Sequence, residues 1–392
     1  MHGFEYFVPT EIVFGAGSTD KLPELLKKRG LSRVLVVYGG ASAKKSGLLD
    51  RVFRLLDEAG VQYRALGGVQ PNPRVALARE GVQLALESGA ELILAVGGGS
   101  VIDTCKAIAH GAANPGTDIW EFWKRRAPLS KSMPVGVVLT IPAAGSETSD
   151  SAVLTNAEAG EKRGLNTPFN RPAFAILDPL LAATLPAHQV ACGVSDILMH
   201  TLDRYFNPVT DNALTDELAE ALLRVVLEFG PAAVRDEKAM SEIMWAGSLS
   251  HNGLTGLGGN KDFATHQLGH ALSEKFDVYH GESLTAIWSS WARYVLDTDV
   301  SRFARFARNV WGIEAADDKE AALAGIAAQE AFFRSIGMPV RIPALSCGRQ
   351  DEAGLADLAS RCSYGRTRTI GTFRVLGYDD ILAIYQLANN EE

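Results

Sequence analysis

The first half of the chain is punctuated by short apolar runs closed by glycine or proline. "RVLVVYGG" (33–40), "ELILAVGGGS" (91–100), "VGVVLTIPAAGS" (135–146) and "AFAILDP" (173–179) share this design. Runs that stay apolar instead of alternating are those of strands buried on both faces. Between them lie stretches of helical period, such as "PRVALAREGVQLALES" (73–88). Strand, helix, strand at this spacing predicts βαβ units and a parallel sheet covered on both sides. The opening, "MHGFEYFVPTEIVFGAG" (1–17), alternates like a strand pair from Phe4 to Phe14, and "NAEAGEKRG" (156–164) reads as a loop.

After "LDPLLAATLP" (177–186) the strand runs stop. "TDELAEALLRVVLEFG" (215–230), "SLTAIWSSWARYVLD" (283–297) and "DKEAALAGIAAQEAFFRSIG" (318–337) read as helices. The last opens on acidic residues and stops at Gly337 before Pro339, in keeping with helix-end chemistry. The predicted architecture is therefore an α/β, Rossmann-like dinucleotide-binding domain over 1–185, followed by an all-helical domain over 186–392. A chain of 392 residues exceeds one ordinary core. Ligands are expected where two such domains meet.

Composition narrows the partners. The formal charge is −8, and the basic clusters "KKRG" (27–30) and "KRR" (124–126) are short, so no nucleic-acid footprint is expected. No window approaches the ~18 to 20 unbroken apolar residues of a membrane span, and the first residues lack a secretion signal's basic head and apolar core. Cys105, Cys192, Cys347 and Cys362 form no CxxC pair. Reduced thiols in a cytoplasmic protein are expected.

Two features carry chemistry. In "LILAVGGGSVIDTCKAIAHGAA" (92–113) three glycines stand between a strand and a helix. Glycines let backbone N–H groups approach a phosphate, the helix N-terminus adds partial positive charge, and Ser100 supplies a hydroxyl or caps the helix. The earlier turn, "VVYGGASAKKSG" (36–47), lacks the Asp or Glu that accepts the ribose 2′-hydroxyl in NAD sites, which favours NADP(H) over NAD(H).

The second feature lies in the helical half. "GVSDILMHTLDRYF" (193–206) places Asp196 and His200 four apart, on one helix face and about 6 Å along its axis. "DFATHQLGHALSEKFDVYHG" (262–281) adds His266, His270 and His280, three of the eight histidines. A set of nitrogen and carboxylate donors without thiolate suits Zn²⁺ or Fe²⁺. Spacing alone leaves open which three histidines bind. His2, His110, His188 and His251 are scattered and read as ordinary.

Taken in order, "AVGGGSVIDTCKAIA", "IPAAGSETS", "LDP", "GVSDILMHTLDRYF" and "DFATHQLGHALSEKFDVYHG" resemble the iron-containing (group III) alcohol dehydrogenases nearly end to end. The "VVYGG" turn and "PNP" (71–73) place the resemblance closest to the butanol dehydrogenase and NADPH-dependent aldehyde reductase branch. Position by position, it implies Asp196, His200, His266 and His280 as metal ligands. His270 is then the non-liganding histidine beside nicotinamide and substrate, able to relay a proton. For the cofactor it implies Gly39, Gly40 and Ser42 near the adenosine ribose, together with Asn72. Gly98, Gly99 and Ser100 would lie at the pyrophosphate with Asp103 nearby, and Thr140, Ser149, Lys162 and Leu181 are further contacts. It also implies a homodimer built partly through the N-terminal strands, an intramolecular edge hairpin being the competing reading of Phe4–Phe14.

The expected activity is hydride transfer between NADP(H), or NAD(H), and small aldehydes or primary alcohols of the butanol type, assisted by one Fe²⁺ or Zn²⁺. Trp120, Phe122 and Trp123 are expected at the pocket, with at least one in the core. A lyase of the dehydroquinate-synthase type is the first rival. Its phosphorylated, carboxylated substrate needs several cations, and the segments 253–270 and 116–123 offer Lys261 alone. A glycerol-type polyol or keto-acid dehydrogenase and a non-enzymatic binder are the others.

Overall fold

The computed structural model describes residues 1–40, 42–209 and 211–390. Ala41, Thr210 and the last two residues lie outside the described residues, as does the side chain of Ser42, one of the expected ribose contacts. The chain separates into two compact units: an α/β unit of residues 7–185 and 234–248, and a helical unit of 1–6, 186–233 and 249–392.

The α/β unit begins with β1 (Glu11–Phe14), α1 (Leu22–Lys28), β2 (Arg33–Tyr38), α2 (Ser42–Lys45), α3 (Leu48–Glu58) and β3 (Gln62–Leu66). It continues through α4 (Val75–Ser88), β4 (Leu92–Gly97), α5 (Gly99–Ala113), α6 (Ile119–Trp123), β5 (Val135–Leu139), β6 (Ser151–Asn156), β7 (Glu161–Asn166) and β8 (Phe174–Leu177). Six strands form one parallel sheet in the order β1-β8-β5-β4-β2-β3, while β6 and β7 make a separate antiparallel hairpin.

Side chains alternate across this sheet. Val34, Val36, Leu92, Leu94, Val96, Val138, Phe174 and Ile176 pack with Leu22, Leu25 and Leu26 of α1 and Leu49, Val52 and Leu56 of α3. The intervening residues face the other way, where α4 and α5 pack. Both faces of the inner strands β4, β5 and β8 are dry, so those sequences are apolar throughout. Each fully buried Val or Leu contributes about 1.5–3 kcal/mol, which makes this layer the main stabiliser of the unit.

The topology also fixes where a ligand fits. The chain leaves β2 toward β3 on one side and leaves β4 toward β5 on the other, yet β2 and β4 are neighbours. Connections that diverge from adjacent parallel strands open a crevice beyond their carboxyl ends. The glycine turns after Tyr38 and Gly97 stand there.

Three sequence expectations need correction. Only Glu11–Phe14 of the N-terminal segment is a strand, paired parallel with β8, so there is no intramolecular hairpin across Phe4–Phe14. Pro9 offers no N–H to a ladder, and residues 1–8 are not in a strand. "NAEAGEKRG" is the turn and second strand of the β6–β7 hairpin, because Gly160 takes a positive φ of 61° and reverses the chain. Trp120, Phe122 and Trp123 of α6 are all core residues, 2–3% exposed, and the Trp123 indole donates to the Ala152 carbonyl.

The helical unit contains α7 (Ala187–Tyr205), α8 (Ala213–Phe229), the end of α9 (Glu237–His251), α10 (Ala264–Phe276), α11 (His280–Val295), α12 (Val300–Trp311), α13 (Asp318–Ser335), α14 (Glu352–Cys362) and α15 (Tyr378–Ala388). Beneath α7, Arg302 binds the Asp216 carboxylate through two nitrogens at 2.6 Å and lies over the Tyr205 ring. No described helix is long and apolar enough to cross a membrane.

Candidate metal centre and dinucleotide crevice

α7, α10 and α11 bring the clustered imidazoles together. Asp196, His200 and Asp203 recur at i, i+4 and i+7 on α7 and so share a face. α10 is flanked by its N-cap Phe263 and C-cap Asp277, both in the left-handed region, at φ 52° and 53°. The short turn after Asp277 starts α11 on His280, folding it back toward His266 and His270. Gly281 permits this contact. A Cβ there would stand 2.6 Å from the Cys192 carbonyl oxygen of α7.

One oxygen lies at the centre. Asp196 Oδ1 is 3.5 Å from His200 Nε2, 3.8 Å from His266 Nε2 and 3.7 Å from His280 Nε2. These separations are too long for hydrogen bonds. They suit donors sharing an ion, since a tetrahedral ion holding ligands ~2.1 Å away sets them about 3.4 Å apart. Asp196 Oδ1 and His266 Nε2 are buried with no hydrogen-bond partner, an arrangement whose desolvation cost a cation would offset. Ligand atoms of Asp196, His200 and His266 all lie within 4.8 Å of one another. Asp196, His200 and His266 side chains are at most 7% exposed, and His280 is 27% exposed on the open side. The set fits a divalent ion of the first transition row.

The two buried rings sit in different electrostatic surroundings. Burial, and then the neighbouring His251 and His266, push the His200 pKa well below its ordinary value and keep the ring neutral. Burial opposes charge on His266 too, but the neighbouring Asp203 and Asp196 carboxylates outweigh it and raise its pKa. Asp203 Oδ2 stands 2.6 Å from His266 Nδ1, which turns the opposite nitrogen toward Asp196. Asp203 is a site residue signalled in the sequence only by its i+7 spacing from Asp196. His251 reads as ordinary in the sequence. The His251 ring instead stacks on that of His200, centroids 3.9 Å apart. His270 lies beside the cluster, its ring 5.3 Å from that of His280. His110, by contrast, is an ordinary buried histidine bonded to Ser132 and Asn170.

In the α/β unit, Gly98 is the N-cap of α5 and gives that helix no side-chain cap. Gly99 and Ser100 form the first turn. Gly39 and Gly40 end the neighbouring β2, where the Lys44 ammonium sits 5.4 Å from the centre of the Tyr38 ring. Thr140, just beyond β5, donates its N–H to the Gly97 carbonyl. Leu181 is half-buried in the turn after β8. Asn72 adopts φ 54° and its side-chain oxygen accepts from Lys162 Nζ at 2.8 Å, so two expected cofactor contacts are joined.

Two other expected contacts face inward. Asp103 accepts from the Ser146 hydroxyl at 2.6 Å and the Val153 N–H at 2.8 Å, tying the 140–153 segment to α5. Ser149 is fully buried, its hydroxyl donating to the Ser151 carbonyl. Lys106, also missed in the sequence, lies beneath them and donates to Ser146 and to the Ser151 carbonyl. Burial pulls its pKa down to about 8.

Parallel sheet, glycine crevice and imidazole–carboxylate cluster define an alcohol and aldehyde oxidoreductase scaffold, and comparison with known proteins says which. Residues 9–179 match the iron-containing alcohol dehydrogenase family and residues 189–389 its C-terminal family model. The chain belongs to the iron-containing alcohol dehydrogenase family. It is 37% identical over 391 residues to NADH-dependent butanol dehydrogenase A of Clostridium acetobutylicum, covering 98% of this chain and 99% of that protein. It is 36% identical over 347 residues to NADPH-dependent aldehyde reductase YqhD of Escherichia coli, covering 87% and 89%. The crystal structure of NADH-dependent butanol dehydrogenase A from Thermotoga maritima matches with a TM-score of 0.95 at 31% identity, covering 100% of this chain and 99% of that one.

Proposed function

We propose that this chain is a cytoplasmic NADP(H)-dependent reductase of small aldehydes, acting reversibly on primary alcohols, with one Fe²⁺ or Zn²⁺ at Asp196, His200, His266 and His280. The observation that carries the reading is the single buried Asp196 oxygen ringed by three imidazole nitrogens at 3.5–3.8 Å. A divalent ion held there supplies Lewis acidity toward an aldehyde oxygen, and a nicotinamide supplies the hydride.

The residues do the rest. Three neutral imidazoles and one carboxylate would leave a bound divalent ion with net positive charge, which would favour oxygen in its anionic form. Asp203 keeps His266 in the tautomer that presents Nε2. Reduction consumes one hydride and one proton; a ring nitrogen of His270 is the proton donor in this reading, and the acceptor in reverse. On the cofactor side, the first N–H groups of α5 take the pyrophosphate, and Lys162 and Asn72 hold the dinucleotide's polar groups. A turn of Gly39 and Gly40 without a carboxylate, next to Lys44, admits a 2′-phosphate. The substrate is small and weakly polar, since Lys261 is the one Lys or Arg in residues 253–270.

Four free cysteines fit a reducing compartment. The chain acts as a homodimer in this reading. β1 is an outer strand of its sheet, and Phe4 and Phe7 just before it are 50% and 59% exposed, an apolar row that a second copy would cover.

The decisive experiment is metal analysis of freshly purified protein, paired with turnover of butanal, other aldehydes and glycerol with NADPH and with NADH. One equivalent of Fe²⁺ or Zn²⁺ and preference for NADPH with butanal are expected. Metal-free protein with full activity would overturn the reading.

A further inference from the structure

We propose that His251 and Phe263 form an aromatic sleeve that fixes the ring plane of His200 and so holds the metal in the centre. This rests on the reading of the cluster as a metal site. A metal-binding histidine is ordinarily oriented by a hydrogen bond from its second ring nitrogen. His266 has that support from Asp203. His200 does not: its Nδ1 is buried and no protein group bonds it. Without a substitute, the His200 ring would be free to swing about its side-chain torsions.

The substitute is ring packing. His251, the last residue of α9 and 8% exposed, lies on the His200 ring with centroids 3.9 Å apart and planes 26° apart. Phe263 packs at 6.0 Å from the His200 ring and 5.1 Å from the His266 ring. Phe263 does so from a left-handed backbone, φ 52°, which is rare and strained for a bulky residue. Its ring is held in turn beneath the Arg204 guanidinium, 4.9 Å from the centroid. Strain of this kind persists only where the surroundings enforce it, and here what it delivers is an aromatic face against two metal ligands. Coordination also draws electron density from an imidazole, so the loaded His200 ring stacks better on His251 than the empty one does.

The test follows release of Zn²⁺ from the full-length protein into excess chelator, together with the visible absorption bands of the Co²⁺-loaded protein. His251→Phe keeps an aromatic face, whereas His251→Leu keeps the volume without it. The leucine variant is expected to lose Zn²⁺ roughly 10-fold faster, the scale of outer-sphere support, and to shift the Co²⁺ bands. The phenylalanine variant is expected within about twofold of the parent, a small part of that scale. Should His251→Leu fail to fold, His251→Met serves with the same outcomes. Unchanged release in the leucine variant, or release from His251→Phe as fast as from His251→Leu, overturns the sleeve. A parent protein that binds neither Zn²⁺ nor Co²⁺ would overturn the metal reading beneath it.

Discussion

Asp203 Oδ2 and His266 Nδ1 stand 2.6 Å apart, both buried, on α7 and α10. The pair joins two helices and sets which nitrogen of His266 faces Asp196. Replacing Asp203 by Asn leaves the volume and removes the charge. Asp203→Asn is expected to weaken metal binding about 10–100-fold, with the helix content unchanged. Chelator competition on the variant checks this.

In the proposed reading His280 binds the metal and His270 carries the proton, although their rings stand 5.3 Å apart. His280→Ala is expected to lose metal and activity together. His270→Ala should keep its metal and lower kcat by about 10²-fold or more, the range for a missing proton donor. Metal content by elemental analysis, beside steady-state kinetics, separates them. Equal metal loss in both variants would refute the assignment.

Gly281 is set by close packing, not by backbone conformation. The Cβ of an alanine would lie 2.6 Å from the Cys192 oxygen and 2.8 Å from its Cα. Backbone atoms cannot step aside, so α11 must move off α7 and carry His280 with it. Gly281→Ala is expected to cost about 1–3 kcal/mol and to lower metal occupancy. Thermal unfolding and elemental analysis read the two effects.

Lys162 reaches Asn72 from the β6–β7 hairpin at 2.8 Å. Lys162→Met should raise the KM for NADPH about 10-fold, near 1.4 kcal/mol, through loss of a charged hydrogen bond. Metal content should not change. A variant with parental KM would remove Lys162 from the cofactor site.

His110 gives the α/β unit an acid limit. Burial pushes its pKa from 6.5 down to about 4, against the opposing hydrogen bond to Asn170. The folded state therefore holds fewer protons than the unfolded state between those values. Stability is full above pH 6.5 and falls as pH drops toward 4, by about 3 kcal/mol from this group. In His110→Gln that share of the slope should vanish, as melting temperatures between pH 7 and 4 would show.

How much of this was legible beforehand follows from the range of each interaction. The runs at 33–40, 91–100, 135–146 and 173–179 gave up their strands because burial on both faces leaves an unbroken apolar signature. β3, "QYRAL", lies at the sheet edge and mixes polar with apolar residues, so it carried no such mark. The β6–β7 hairpin hid in a charged stretch for the same reason. Among site residues, the i,i+4 pairing of Asp196 with His200 is local and readable. His251 is remote in sequence from the His200 ring it stacks on, and Phe263 carries its strain in a torsion that no residue pattern reveals.

The sequence by itself determined the parallel α/β half, the helical half, the glycine turns and the pool of five candidate ligands, because periodicity and chain spacing encode short-range geometry. Only the tertiary structure decided that Asp196 Oδ1 sits among three imidazole nitrogens, that Asp203 and His251 stand behind two of them, and that the aromatic residues of α6 belong to the core. Those facts depend on helices far apart in the chain meeting at fixed depth and rotation, and close packing sets that meeting through contacts such as Gly281 on Cys192.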